Sequence, residues 1–136
     1  MTEPIRAVLF DYGETLVRDW PSAGQSRPEP GVHTAIRQLA QDYRVGIAAA
    51  GATPSELIRA DLARLGLSDL FETVHSAGDS EPFSIAAAIG RALADLDVPA
   101  IAAVFISERE DEGLPADIRK LYYRPASALV ARLALT

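Results

Sequence analysis

The sequence predicts an α/β domain of three layers, with helices on both faces of a central parallel sheet. Three observations predict it. Three apolar runs, Ile5–Phe10, Arg44–Ala49 and Ile101–Ile106, carry almost no polar residue once under way. A strand buried on both faces by crossover helices reads this way, whereas a half-solvated antiparallel strand alternates. Between these runs the apolar residues switch to helical spacing, which makes βαβ units. The 136 residues, nearly half of them apolar, suit one globular domain with an ordinary core.

Taken in order, the first strand stops at Asp11, and residues 18–30, with Pro21, Gly24, Pro28 and Pro30, form a loop. Val32, Ile36, Leu39, Ala40 and Tyr43 recur as one face of a helix, and the strand Arg44–Ala49 comes next. Thr53-Pro54-Ser55-Glu56 reads as a capping box with Pro at the first helical position. Leu57, Ile58, Leu62 and Leu65 continue that helix, interrupted only by Asp61, until Gly66 ends it. A short strand is expected near Val74, then a helix from Pro82 to Leu96 with Ile85, Ile89, Leu93 and Leu96 inward. After the strand Ile101–Ile106, a helix from Leu114 to Leu121 and a last element from Ala128 to Leu135 complete the expected order.

Composition excludes several classes of function. There is no Cys, so no disulfide and no thiolate metal site, and the two histidines, His33 and His75, are poor material for zinc. The net charge is −6 and no basic cluster neutralises phosphates, which argues against a nucleic-acid partner. No apolar run reaches the ~20 residues of a membrane span. The first apolar run is too short for a signal peptide and meets Asp11 at once, so a cytoplasmic location is expected.

In a parallel sheet, ligands sit beyond the carboxyl ends of the strands. The residues that matter therefore come after Phe10, Ile47, Val74 and Ile106. Asp11, with Gly13, Glu14 and Thr15 just beyond it, is a candidate nucleophile or metal ligand; taken alone, an Asp there reads rather as a solvated residue that starts a turn. Ser107 leads into Glu108, Glu110, Asp111 and Glu112, which suit a helix N-terminus on their own. Two such strand-end carboxylate sites in one sheet are the oxygen-rich setting Mg²⁺ prefers.

The stretch Val8-Leu9-Phe10-Asp11-Tyr12-Gly13-Glu14-Thr15-Leu16 resembles the first motif of the haloacid dehalogenase (HAD) superfamily, an apolar strand and then Asp-x-Asp-x-Thr-Leu. It is most similar to the variant Phe-Asp-x-Gly-Glu-Thr-Leu of some bacterial members. Val45–Gly51 resembles the second motif, Leu70–Val74 the strand leading to the third, and Ala103–Glu108 the fourth, and Leu114-Pro115-Ala116 resembles the segment C-terminal to that fourth motif. The resemblance runs in order from about residue 5 to 121 and implies a Rossmann-like, HAD-like fold over residues 1–136. Asp11 and Ala49 are 38 positions apart, too few for a large cap.

The resemblance also implies a chemistry, and much of its equipment is absent. In active HAD phosphatases the first Asp attacks phosphorus, and an Asp two positions on moves the proton. A hydroxyl at the second motif and a Lys at the third hold the phosphoryl oxygens, and acids of the fourth hold Mg²⁺. Here Asp11 takes the nucleophile position, with Thr15 and Glu14 as supporting residues, but the acid/base position falls on Gly13. The hydroxyl position falls on Ala49 and the Lys position near Glu81. Lys120 is the only lysine, and Arg59 or Arg91 would have to fold into the site to replace the missing one. The implied metal ligands are Asp11, the Gly13 carbonyl, Glu108, and Asp111 or Glu112.

Three readings stay open: a HAD-like domain whose Mg²⁺-dependent phosphoryl chemistry is weak, lost or repurposed; a working phosphohydrolase using Asp11; and a module that binds a partner without catalysis. The expected ligand is an unknown small-molecule phosphate or a protein. Trp20 and Pro21 are expected to cover an edge of the core.

Overall fold

In the computed structural model, residues 4–13, 15–20, 26–28, 31–107, 114–115 and 117–122 are described. The chain begins with β1 (Ala7–Phe10), then two short strands, β2 (Val17–Arg18) and β3 (Arg27–Pro28), which pair as an antiparallel hairpin. Helix α1 (Val32–Asp42) leads to β4 (Arg44–Ala49), α2 (Ser55–Leu65) to β5 (Thr73–Ser76), and α3 (Ile85–Leu96) to β6 (Ala103–Ser107). The last described element is β7 (Arg119–Tyr122). The main sheet has the order β5-β4-β1-β6-β7 and is parallel throughout. No helix among the described residues is long and apolar enough to cross a membrane.

The two faces of the sheet fill differently, because successive side chains of a strand point to opposite sides. Val8, Phe10, Val45, Ile47, Val104 and Ile106 pack with Val32, Ile36 and Leu39 of α1 and Ile58 and Leu62 of α2. Ala7, Leu9, Ala48, Ala103 and Phe105 pack instead with Ala88, Ile89, Ala92, Leu93 and Leu96 of α3. Alanines on both sides of that second interface bring α3 close to the sheet. The strands predicted from 5–10, 44–49 and 101–106 are thus central neighbours, with β1 between the other two. Only the hairpin β2–β3 lies between β1 and α1 among the described residues, so there is no large cap.

Four expectations are corrected. The predicted helix Leu114–Leu121 is contradicted over Arg119–Leu121, which belong to the strand β7, registered against Val104–Ser107. Leu114, Ile118 and Leu121 have helical spacing, but β6 is buried on both faces and its free edge needs a backbone partner. The helix expected to start at Pro82 starts at Ile85, with the Ser84 side chain accepting from the Ala87 amide, 3.1 Å. The apolar run at 101–106 opens inside a 3-10 turn over Ala100–Ala102, and β6 begins only after it. The capping box at Thr53 does not form: α2 starts at Ser55 with no cap from its own segment. Its first amide is taken by Asp79, whose Oδ1 accepts from Ser55 N at 2.8 Å while Oδ2 accepts from Ser76 N at 3.1 Å. Gly66 does end α2, at φ 75°. The element expected at Ala128–Leu135 lies outside the described residues.

Burial pushes the Asp79 carboxyl up, but the Ser55 and Ser76 amides pull it further down, so it lies below the usual range for Asp. A depressed carboxyl contributes stability above its unfolded value and loses it as pH falls through the folded one. Asp79→Ala should therefore cost about 1 kcal/mol at neutral pH, the usual worth of a helix cap. The difference from the parent should shrink below about pH 4. Urea melts at pH 7 and pH 3 check both parts.

Candidate functional site

Asp11 is the first residue past β1 and is buried, 1% exposed. Its amide donates to Ile106 O at 2.9 Å, so its backbone is still tied to β6. Its carboxylate is held from three strand ends. Oδ1 accepts from the Tyr12 amide at 2.8 Å and from the Ala50 amide, just past β4, at 3.0 Å. Oδ2 accepts from the hydroxyl of Ser107, the last residue of β6, at 3.3 Å. Ser107 stands where the resemblance expects Gly, and sequence reasoning gave its hydroxyl no role. A buried carboxylate needs such donors, and the parallel arrangement supplies them by bringing the ends of β1, β4 and β6 to one edge.

Gly13 sits opposite Val17 in an isolated bridge, and Thr15 is buried in the turn just beyond, its amide donating to Tyr12 O at 3.3 Å. The space above Gly13 belongs to Trp20. A Cβ added there would lie 2.8 Å from Trp20 Cδ1, closer than such atoms stand in real proteins. Trp20 also meets the Tyr12 ring edge-on, with centroids 4.9 Å apart, and packs against the core as expected. An acidic side chain at position 13 is thus absent and also sterically displaced.

Ala49 is the last residue of β4, buried and without a hydroxyl. The loop after it is interlocked with the turn after β5. Ser76 Oγ donates to Thr53 O at 2.5 Å and lies 3.2 Å from Gly51 O. Gly78 approaches so near that an added Cβ would lie 2.1 Å from Ala52 O. Glu81 is exposed beyond this turn. Arg91 donates to Ser76 O at 3.1 Å and Arg59 to Val74 O at 2.8 Å, so both are bound to β5. Lys120 lies on β7 rather than on a helix, its Nζ 5.5 Å from the centre of the Phe105 ring.

His75 lies within β5 and is bound to α3. Its Nε2 is 2.7 Å from Asp95 Oδ2, an oxygen that Thr73 Oγ1 reaches at 2.5 Å. Those two bonds, Thr73's first, hold the Asp95 carboxyl below its usual range. His33 is exposed on α1. Glu14, Glu108, Asp111 and Glu112 lie outside the described residues, and among the described ones no three His, Asp or Glu gather as a metal site.

A second buried polar cluster lies behind Asp11. Asp61, the interruption in the apolar face of α2, is the buried residue there, while Leu57 is half exposed. Asp61 Oδ2 accepts from Tyr12 Oη at 2.6 Å and from the Ser26 hydroxyl. Its Oδ1 accepts from Arg64, whose Nη2 lies at 3.0 Å and also donates to Ser26 O at 2.7 Å. Burial, then the Asp61 hydrogen bond, pushes the Tyr12 hydroxyl far up, so it stays a donor.

No protein-family model matches the chain, and no curated protein does. Solved structures do. A HAD-superfamily hydrolase from Ehrlichia chaffeensis superposes with a TM-score of 0.70 at 12% identity, covering 98% of this chain and 99% of that one. A HAD-superfamily hydrolase, subfamily IA, variant 1, from Geobacter sulfurreducens gives 0.69 at 12% identity, over 94% and 99%. An uncharacterized protein from Listeria monocytogenes gives 0.71 at 16%, over 97% and 100%. At these identities the likeness is one of fold.

Proposed function

On this HAD-like fold, we propose a domain whose phosphoryl-transfer site has decayed or been turned to another use, with Asp11 retained and its helpers gone. One observation carries the reading: the Trp20 ring fills the space beside Gly13, where the family's proton-moving side chain would stand. A missing acid/base costs ~10²–10⁴ in rate. The exposed Glu81 at the Lys position adds repulsion of phosphate. Among the described residues, the Tyr12 and Ala50 amides and the Ser107 hydroxyl donate to Asp11, which supports its holding strand ends together at least as well as its attacking phosphorus.

Mg²⁺ would be held by Asp11 and the Gly13 carbonyl, with Glu108 and Asp111 or Glu112 and waters completing the six oxygens it needs. Once bound, it would neutralise charge on a phosphoryl group. The domain would act in the cytoplasm, and its ligand would be a small-molecule phosphate or a protein.

With Mg²⁺, the purified protein should hydrolyse aryl phosphates very slowly and alkyl phosphates not measurably. A phenolate leaves without a proton and an alkoxide does not. Mg²⁺ should raise the melting temperature slightly, and Asp11→Asn should abolish that rise. Brisk turnover of an alkyl phosphate, lost in Asp11→Asn, would overturn the reading in favour of a working phosphohydrolase.

A further inference from the structure

The hairpin β2–β3 that carries Trp20 is too small to hold its own position. Its strands have two residues each, and hairpins this short are not stable alone. The Arg27–Asp19 pair within it is exposed on both sides, a kind of contact worth little. It is fixed to the body by Leu16, Val17 and Trp20 in the core, and at its far end by the Ser26 hydroxyl on Asp61. The same carboxylate holds Tyr12, whose amide bonds Asp11 and whose ring meets Trp20. Both oxygens of Asp61 are engaged, one by Tyr12 and Ser26 and the other by Arg64.

We propose that the buried Tyr12–Asp61–Ser26 cluster is a latch that seats the Trp20 hairpin against Gly13, so that the space at the end of β1 is closed while the latch holds and opens when it is broken. Asp61 is a positioning residue in this arrangement: it acts through Tyr12 and Ser26 to set which side chain lies beside Gly13. The inference stands apart from whether any phosphoryl chemistry survives.

Trp20 is the chain's single tryptophan, so its fluorescence reports on the hairpin alone. Three kinds of variant are compared: Asp61→Ala, the pair Tyr12→Phe with Ser26→Ala, and each single change of that pair. In the pair, Asp61 keeps Arg64 on its other oxygen, and each single change leaves Oδ2 one of its two hydroxyl donors, so the single variants carry the same quenching test where Asp61→Ala or the pair fails to fold. The expected result is a native far-UV circular dichroism spectrum with an acrylamide quenching constant for Trp20 raised about twofold or more, the mark of local opening. The two single changes should couple rather than add. Gly13→Ala supplies a readout that general loss of stability does not move. Its penalty, set by the clash with Trp20, should be large in the parent and should shrink in the latch-broken pair. Unchanged quenching in a folded pair variant, or an undiminished Gly13→Ala penalty there, would overturn the proposal.

Discussion

Gly13→Asp alone should leave aryl-phosphate turnover at the parent's level, and Gly13→Asp with Trp20→Ala, Ala49→Ser and Glu81→Lys should raise it by about 10²–10⁴-fold. The reason is spatial. The first carbon of any side chain at position 13 would stand 2.8 Å from Trp20 Cδ1, so a carboxylate there must either displace the indole or point away from the strand end. Cutting Trp20 back frees the space, Ser at 49 returns a hydroxyl, and Lys at 81 exchanges repulsion for attraction. These contributions act on one transition state and do not multiply, which keeps the expected gain near that of a single strong helper. Steady-state kinetics with Mg²⁺ on the single, the triple without Trp20→Ala and the quadruple variants decide it. A Gly13→Asp protein that gains activity with Trp20 intact would mean that the ring does not guard this position.

The largest stability effect should come from Gly78→Ala, about 3 kcal/mol, the upper end for overpacking. The added Cβ would lie 2.1 Å from Ala52 O, 2.4 Å from Ala52 C and 3.0 Å from Thr53 C, all backbone atoms that cannot rotate aside. To make room, the loop after β4 must part from the turn after β5. That parting strains the Ser76 bonds to Gly51 O and Thr53 O and the Asp79 cap on α2. Gly90→Ala is the matched control. An added Cβ there meets nothing, and Ala is the better helix former by ~1 kcal/mol. Urea denaturation should move the two midpoints in opposite directions; equal shifts would refute the close approach at Gly78.

The sheet was legible in the sequence because its central strands are apolar on both faces, a pattern that survives without knowledge of neighbours. The strand ends were legible for the same reason: Asp11 breaks an apolar run, and Ser107 ends another. β7 was not legible. Its identity is decided by the unpaired edge of β6, which lies elsewhere in the sequence, and the spacing of Leu114, Ile118 and Leu121 is compatible with either structure. The cap of α2 was misread for a similar reason, since Thr53 is adjacent in sequence but Asp79 arrives from the next βα connection. Asp61 did give a signal. A charge within an apolar helical face marks either a flaw or a buried partner, and Tyr12, Ser26 and Arg64 are that partner set. No local pattern could reveal that Trp20 occupies the place of an absent side chain.

The order β5-β4-β1-β6-β7 has a consequence for synthesis. β1 is made before the other strands of this sheet and stands at its centre, and one of its edges is covered early by β4. Its other edge waits for Ala103 and the residues after it, since Ala7 pairs with Ala103 and Phe10 with Ile106. Until that stretch leaves the ribosome, the nascent chain carries an open, wholly apolar strand edge, the kind of surface on which chains aggregate. Closing it requires contacts distant in sequence, which are slow to form. A chaperone that shields apolar strands should therefore bind the emerging chain during this interval and release it once β6 has docked.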